Sequence, residues 1–227
     1  MAETGVFVGY SKAQHGFQAN TNMTLSLPFL IALLAMLVFW AVGAYNRLVR
    51  LKSAIGRAFA LVDLQLKERD ALVRPLTDAS QVYLAPESYL FDAVVAAHQQ
   101  AQTAASMVRS HPAQAGAAQA LDMAEQVLAD SMEHMLSRLQ DAAQAAPRLI
   151  ADTQMPLQFQ AWAEAEGRLG FSRQGYNDAV RVFNQAVMQF PAVLLARLFG
   201  FAPSAMLQSK RSFSASKFAD LMPQDKR

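Results

Sequence analysis

The sequence contains no cysteine and little charge, and each shortage excludes a class of chemistry. Without cysteine the 227-residue chain has no disulfide, no thiolate metal ligand and no thiol nucleophile. Charged residues make up 17% of the chain and the formal net charge is +2, so no strong overall field attracts nucleic acid. The basic excess is local, because residues 204–227 carry five Lys or Arg residues against two Asp residues.

Motifs for enzymatic chemistry are also missing. The sequence has no phosphate-binding loop, no dinucleotide-binding glycine pattern and no G-x-S-x-G nucleophile elbow. None of its four histidines belongs to an H-E-x-x-H zinc motif. Acidic residues are scattered, without the close pair on one helix face that two-carboxylate catalysis needs. We therefore expect a protein that is not an enzyme and that has no cofactor, no metal and no small-molecule substrate.

One long uncharged run is present. Residues 25–44 read LSLPFLIALLAMLVFWAVGA, and a helix of that length covers about 30 Å, the thickness of the hydrocarbon core of a bilayer. Trp40 and Tyr45 lie near its end, where amphipathic rings favour the membrane interface. A core helix of a soluble domain and a signal peptide are the alternatives, and an uncharged run this long is costly to bury in a small domain.

The charges around this run predict its orientation. Four basic residues and no acidic residue lie between the run and Asp63, whereas the residues before it include one Lys and one Glu. A signal peptide carries its positive charge before the apolar segment, so the pattern favours an uncleaved anchor. The positive-inside tendency then places the N-terminus outside and the C-terminal part in the cytoplasm.

The rest of the chain predicts helices. After the run, apolar residues recur at three- and four-residue spacing, so we expect the helix to continue to about Val82, with a bend or a new start at Pro75. Further helices are expected between the breaks at 85–88 and 111–112, then at 113–146 and 157–190, with a short continuation at 193–201. The predicted fold class is all-α: a single N-terminal transmembrane helix that continues into an elongated antiparallel bundle of about four long helices.

These predictions divide the chain into four segments. They are an external tail at 1–24, a transmembrane helix at 25–44, the helical bundle at 45–203 and a basic disordered tail at 204–227. The basic tail has two interpretations: it lies on an anionic membrane surface, or it is solvated.

Polar residues on the predicted apolar stripes are the candidates for special roles. Glu166 and Arg173 lie two turns apart on one stripe, which indicates either a buried ion pair, with or without Arg69, or a site for a partner or an ion. Asparagines in a helix seam set register or oligomeric state. The candidates for helix packing or an interface are Asn46, Leu66, Arg69, Trp162, Glu166, Arg173, Tyr176, Asn177 and Phe183.

Several blocks of the sequence resemble the bacterial LemA family. One block is YNRLVRL at 45–51, directly after the apolar run, and another is VDLQLKER at 62–69. The strongest lies within 166–207 and includes YNDAV at 176–180 and LFGF at 198–201. The resemblance extends from about residue 30 to residue 207. It departs at RPLT, 74–77, where the family has a Pro-Asn-Leu-Val stretch, and it is loose over 106–144.

The resemblance implies an architecture more firmly than a function. It implies an antiparallel helical bundle on one anchor in the bacterial inner membrane, with the N-terminus outside and the bundle in the cytoplasm. It implies no established enzymatic activity. One class of relatives acts in magnetosome membrane formation, and family members are often associated with membrane zinc proteases.

Two functions follow as alternatives. The first is a membrane-anchored scaffold that self-associates into a homo-oligomer and organises or shapes the membrane. The second is an accessory subunit of a membrane protease or another envelope protein. The first depends on the long helix at 45–82, because shorter neighbours would leave part of its apolar seam uncovered as an interface. If the fourth helix covers the whole seam, the protein is instead a monomer. The expected partners are the lipid bilayer and further copies, or else a membrane protease, and no nucleic acid.

Overall fold

The structure is a computed structural model that describes residues 21–145 and 155–208, and every regular element in these ranges is helical. The elements are α1 (Thr21–Gln81), a short 3-10 helix (Ala85–Glu87), α2 (Ser88–Ser110), α3 (Ala115–Ala145), α4 (Met155–Met188) and α5 (Ala192–Leu198). The all-α fold class is confirmed, and the predicted helices are present with bounds shifted by a few residues. Most of the predicted external tail, and residues 209–227 of the basic tail, lie outside the described residues.

The chain divides into two units, residues 1–43 and residues 44–227. In the first unit the large apolar side chains of α1 are exposed, from 39% at Trp40 to 79% at Phe39. Among the described helices, α1 alone is long and apolar enough to cross a membrane. The pair α4 and α5 passes the same test when it is taken as one span with a 97° bend. An apolar N-terminal helix of membrane-spanning length is therefore a feature of this fold.

The second unit is an antiparallel bundle of α2, α3, α4 and the part of α1 that belongs to this unit. Contacts between α1 and α4 run in opposite chain directions, since Gln65 contacts Arg168 while Arg69 contacts Glu166. On the other side of α1, Asp63 contacts Arg109 of α2. The bundle core is a single cluster to which all four helices contribute.

The predicted apolar stripe of α1 lies in this core. Leu48, Ile55, Phe59, Val62 and Leu66 are each at most 3% exposed, and the stripe ends with the buried Val73 and Leu76. The helical phase predicted for this segment is therefore confirmed. Its burial also removes the reason for expecting an uncovered seam, because the chain's own helices cover these residues. The oligomer prediction thus loses its original basis, although the oligomeric state itself stays a prediction.

Pro75 does not start a new helix. The helix α1 passes through Pro75 and ends at Gln81. Proline removes one backbone hydrogen bond and its ring crowds the preceding turn, which costs about 3 kcal/mol in a helix interior. Here Val73 and Leu76, on either side of it, are buried in the core, and their packing opposes that cost.

A sharp turn follows α4, and a second turn after α5 completes the reversal of the chain. The axes of α4 and α5 differ by 97°, and the peptide bond between Phe190 and Pro191 is cis. At the end of α5, Gly200 adopts φ = 69°, and the Phe201 N–H donates to the Ala196 carbonyl at 2.8 Å. This is the Schellman arrangement, in which glycine tolerates the left-handed conformation that other residues avoid. The motif directs residues 201–208 back along α4.

Candidate functional site

The most concentrated polar chemistry in the described chain is a buried ion-pair cluster between α1, α3 and α4. Its centre is Arg69 of α1, which is 3% exposed. The Arg69 guanidinium forms two parallel bonds with the Glu125 carboxylate of α3, at 2.6 Å from Nη1 and 2.8 Å from Nη2. Such a bidentate pair fixes both distance and orientation, so it joins α1 to α3 in one register.

The two charges predicted from the stripe of α4 both belong to this cluster. Glu166 accepts a hydrogen bond from Arg69 Nη1 at 2.9 Å. Arg173 donates from Nη2 to Glu125 at 2.8 Å. The expected ion pair with Arg69 is therefore present for Glu166. Arg173, however, pairs with Glu125, the same carboxylate that accepts from Arg69.

A third carboxylate, Asp70, completes the edge of the cluster. Its Oδ1 lies 3.4 Å from Arg69 Nη2 and 3.4 Å from His98 Nε2 of α2. Gln102 Nε2 lies 3.1 Å from His98 Nε2 and 3.5 Å from the other oxygen of Asp70. The cluster thus contains three carboxylates and two guanidinium groups, and it reaches all four bundle helices.

The cluster favours the ionised forms of Glu125, Asp70 and Arg69 despite their burial. Burial alone would raise the pKa of Glu125, but the charge and hydrogen bonds of Arg69, followed by the charge of Arg173, hold that pKa below its usual value. For Asp70, burial is again outweighed, first by the hydrogen bond to His98 and then by Arg69, so its pKa is also lowered. The pKa of Arg69 is raised, because Glu125 outweighs the effect of desolvation.

Two apolar candidates pack around the cluster. The Trp162 ring of α4 is 2% exposed, and its centroid lies 5.4 Å from Arg69 Cζ, a cation–π distance. Leu66 is 3% exposed, one turn before Arg69 on α1. A cleft beside the cluster is lined by Val62, Leu66, Leu121, Asp122, Glu125, Arg173 and Leu207, and it is too narrow to admit a water molecule. The cluster's acceptors and donors are therefore directed mainly at each other, and its clearest role is to fix helix register.

A second polar arrangement holds the segment after α5 against α4. Asn184 Nδ2 donates to the Ser204 carbonyl at 2.9 Å, and the Ser204 N–H donates back to Asn184 Oδ1 at 2.8 Å. Asn177 makes the same pair of bonds with Leu207, at 2.8 and 2.9 Å. Each side-chain amide therefore pairs with one residue of the segment as a backbone amide would.

The spacing of the two asparagines matches the segment they hold. Seven helical residues separate them, a rise of about 10.5 Å. Three residues of extended chain separate Ser204 from Leu207, and they reach about 10 Å. The asparagines therefore do not set a seam between helices, as predicted for Asn177, but hold an extended segment. The packed chain continues at least to Gln208, beyond the predicted end of the bundle at residue 203, and the Gln208 N–H donates to Asp122 at 2.7 Å.

The remaining candidates divide between core and surface. Tyr176 is fully buried, lies edge-on to Phe59 at 6.0 Å, and its hydroxyl lies 3.2 Å from the Pro112 carbonyl and 3.4 Å from the Ala205 carbonyl. Burial raises the Tyr176 pKa. Phe183 is 1% exposed and belongs to the core. Asn46 is exposed, so it does not pack inside the bundle, and a role in an interface stays a prediction.

Glu125 is the central residue that sequence reasoning missed. It follows the buried Leu121 by four residues and precedes the buried Leu128 by three, so it lies on the apolar face of α3. The same signal had singled out Glu166 on α4. Applied evenly to α3, it would have found Glu125 as well.

The architecture defines a class: an antiparallel helical bundle attached to an apolar N-terminal helix of membrane-spanning length. The sequence model of the LemA family matches residues 58–218, and the chain belongs to this family. The matched range includes the ion-pair cluster and the segment held by the asparagines, whereas the block at 45–51 precedes it. No curated protein matches the chain.

Proposed function

We propose that this protein is a non-enzymatic, membrane-anchored scaffold that self-associates through its helical bundle and organises the membrane around it. The apolar N-terminal helix supports the anchor, and membership of the LemA family supports the bundle. Since the seam of α1 is buried, the contact between copies is assigned to another surface.

The observation that carries the proposal is an exposed apolar surface on the outer side of α1 and α4. We call it the outer α1–α4 face, and it consists of Leu61, Leu64 and Phe171, which are 61%, 51% and 78% exposed. A group of neighbouring exposed apolar side chains on a folded bundle is characteristic of a binding surface, whereas single exposed ones are ordinary.

Polar contacts place the two halves of this face side by side. Arg168 Nε of α4 lies 3.2 Å from Gln65 Oε1 and 3.6 Å from Glu68 Oε2, both on α1. Leu61 and Leu64 lie four residues before these two α1 residues, on the same stripe, and Phe171 follows Arg168 by three residues. In an α-helix such spacings place side chains on one face. A Cβ added at Gly167, four residues before Phe171 on the same face of α4, would contact no other atom, so a side chain of a second copy can enter there.

Membrane anchoring favours association through such a small surface. Copies held in one membrane meet at a high effective concentration, so a small contact suffices for assembly. The same face also fits the alternative function, an accessory subunit that docks onto a membrane protease or another envelope protein. The oligomeric state distinguishes the two, because an adaptor is a monomer when it is purified alone.

The test is the mass of the full-length protein in a mild detergent by multi-angle light scattering. We expect a protein mass that is a multiple of 24.8 kDa. The double variant Leu64→Ser with Phe171→Ser should approach the mass of one chain, whereas Met123→Ser, at a 69% exposed position on α3, should not. A wild-type protein that stays at the mass of one chain contradicts the scaffold and favours the adaptor.

We also propose the inner membrane as the location, with the N-terminus outside and the bundle in the cytoplasm. The basic residues that follow the apolar run support this orientation. Because the chain lacks cysteine, single cysteines report accessibility without background. In intact spheroplasts, Ser11→Cys should react with an impermeant maleimide and Ser214→Cys should not. The opposite pattern would reverse the orientation.

A further inference from the structure

The short helix α5 exposes more large apolar side chains than its size explains. Leu194 is 60% exposed, Leu198 76% and Phe199 55%. Phe190, just before the helix, is 76% exposed. Leu194 and Leu198 are four residues apart and therefore lie on one face of α5. We call Phe190, Leu194, Leu198 and Phe199 the α5 apolar face.

The fold holds this face outward. On the other side of α5, Ala196 is 1% exposed and belongs to the bundle core. The turn after α4 sets the helix at 97° to α4, and the Gly200 motif fixes its end. The segment that follows is held by Asn177 and Asn184. Exposure of the apolar side chains is thus imposed by contacts at both ends of α5.

The α5 apolar face lies at the end of the bundle that begins with Tyr45. The ring of Tyr45 lies 4.9 Å from the ring of Phe199 and 5.8 Å from that of Phe201. Tyr45 directly follows the uncharged run 25–44 in the chain. If that run spans the membrane, Tyr45 marks the level of the interface, where tyrosine is enriched. A helix that touches Tyr45 then lies at the same level.

The charges at this end have one sign. Arg47, Arg50, Lys52 and Arg197 are exposed, and none of them forms an ion pair with another described residue. No acidic residue occurs between residues 44 and 62 or between residues 179 and 203. Lys52 Nζ lies 5.8 Å from the centroid of the Phe201 ring, so one of these cations is adjacent to the aromatic group that contacts Tyr45.

We propose that α5 is an interfacial membrane helix, whose apolar face inserts into the leaflet next to Tyr45 while the surrounding cations bind anionic headgroups. Apolar residues beside exposed Arg and Lys are the combination that anchors amphipathic segments at the headgroup level. The inference rests on the anchor at 25–44 but not on self-association. It gives the bundle a second contact with the bilayer, and that contact would restrict how the bundle tilts relative to the membrane.

The test uses single-cysteine variants of the full-length protein in vesicles that contain anionic phosphatidylglycerol. An environment-sensitive fluorophore is attached at Leu198→Cys, at Met123→Cys as a similarly exposed control on α3 outside the outer α1–α4 face, and at Leu34→Cys within the apolar run. Aqueous iodide, a lipid quencher near the headgroup and a lipid quencher at the chain end are then compared. The probe at 198 should be protected from iodide and lose most of its emission to the headgroup quencher, whereas the probe at 123 should be quenched by iodide.

Each other result would overturn the proposal in a recognisable way. Iodide quenching at 198 equal to that at 123 would mean a solvated helix. Protection from iodide without lipid quenching would mean that a second copy covers the face. Chain-end quenching as strong as at 34 would mean a re-entrant segment, and no lipid quenching at 34 would remove the anchor itself.

The role of charge has its own measurement. The double variant Lys52→Gln with Arg197→Gln should weaken headgroup quenching at position 198, and replacing phosphatidylglycerol by a zwitterionic lipid should weaken it in the wild type. The matched control is Arg168→Gln, a basic residue on α4 that contacts Gln65 and Glu68. Quenching that is the same in both lipids would exclude headgroup binding by these cations.

Discussion

The middle of the bundle and its end at Tyr45 differ in how their charged groups are placed: they are buried and paired in the middle, and exposed and unpaired within the described chain at the Tyr45 end. In the middle, Arg69, Glu125 and Arg173 are each less than 10% exposed, and each contacts a group of opposite charge. At the Tyr45 end, cations are exposed without a carboxylate partner in the described chain, and the large apolar side chains of α5 face outward. In the middle of the bundle the charged groups pair with each other, whereas at the Tyr45 end the cations are free to bind groups outside the described chain.

This difference separates what folds the bundle from what the bundle offers to its surroundings. A buried ion pair adds little net stability, but removing one partner is costly, so its main effect is to make alternative registers unfavourable. Exposed apolar and cationic groups contribute little to folding. Variants in the two regions should therefore have very different effects on stability, and the following predictions test that expectation.

The largest expected effect is that of Glu125→Ala. The variant leaves Arg69 and Arg173 buried without their shared carboxylate, and breaking a buried pair in this way costs about 3–5 kcal/mol. The free energy of unfolding of the detergent-solubilised protein, measured by denaturant titration and circular dichroism, should fall by that amount.

Glu166→Ala is the matched control for this prediction. Glu166 is 15% exposed and accepts one hydrogen bond, from Arg69, so its loss should cost about 1.5–3 kcal/mol. An equal loss for both variants would mean that Glu125, although shared by Arg69 and Arg173, contributes no more to stability than Glu166 does.

Acid should weaken the middle of the bundle before it affects the Tyr45 end. The pKa values of Glu125 and Asp70 are lower in the folded protein than their ordinary values. Their stabilising contribution is therefore complete above the ordinary carboxylate pKa and is lost as the pH falls through the lowered value. The melting temperature should fall over that range, and it should fall less in Glu125→Gln, which carries no carboxylate there. Equal slopes in both proteins would remove Glu125 as a source of the acid sensitivity.

A smaller effect is expected where Asn184 holds Ser204. Asn184→Ala removes two hydrogen bonds to the backbone of the segment after α5, each worth about 0.5–1.5 kcal/mol. Stability should fall by about 1–3 kcal/mol, and amide exchange at Ser204 should accelerate. Asn46→Ala, at an exposed position, should change neither. Unchanged exchange at Ser204 in Asn184→Ala would contradict the geometry of this contact.

The comparison also shows what the sequence predicts and where its information ends. Helical periodicity identified the buried stripe from Leu48 to Leu76 and placed Glu166 and Arg173 on a core face, because a period depends only on neighbours along the chain. It did not pair Arg173 with Glu125, since a partner on another helix depends on rotation and register in three dimensions. It also assigned Asn177 to a helix seam, because the pattern does not show that an extended segment packs there.

The coverage of the α1 seam illustrates the same limit. The segment 45–82 is longer than its predicted neighbours, which suggested an uncovered strip. In the structure α4, at 34 residues, and the segment that follows α5 also pack on the bundle, and the seam is buried. A comparison of helix lengths therefore underestimates how much of a core is covered, because it ignores the irregular segments that also pack against it.

The smallest effect is expected at the Tyr45 end. The double variant Leu194→Ser with Leu198→Ser replaces side chains that are 60% and 76% exposed, so it removes little apolar area from the folded core. Each change should alter the free energy of unfolding by at most about 0.5 kcal/mol, as is usual for surface positions. The measurement is the same denaturant titration in detergent. The contrasting variant on the same helix is Ala196→Asp, which puts a charge at a position that is 1% exposed and should destabilise the bundle strongly. If the Leu194→Ser/Leu198→Ser double variant lowers the free energy of unfolding as much as Ala196→Asp does, the two leucines are not on the exposed face of α5. The contrast between the paired charges in the middle of the bundle and the exposed groups at its Tyr45 end would then not hold.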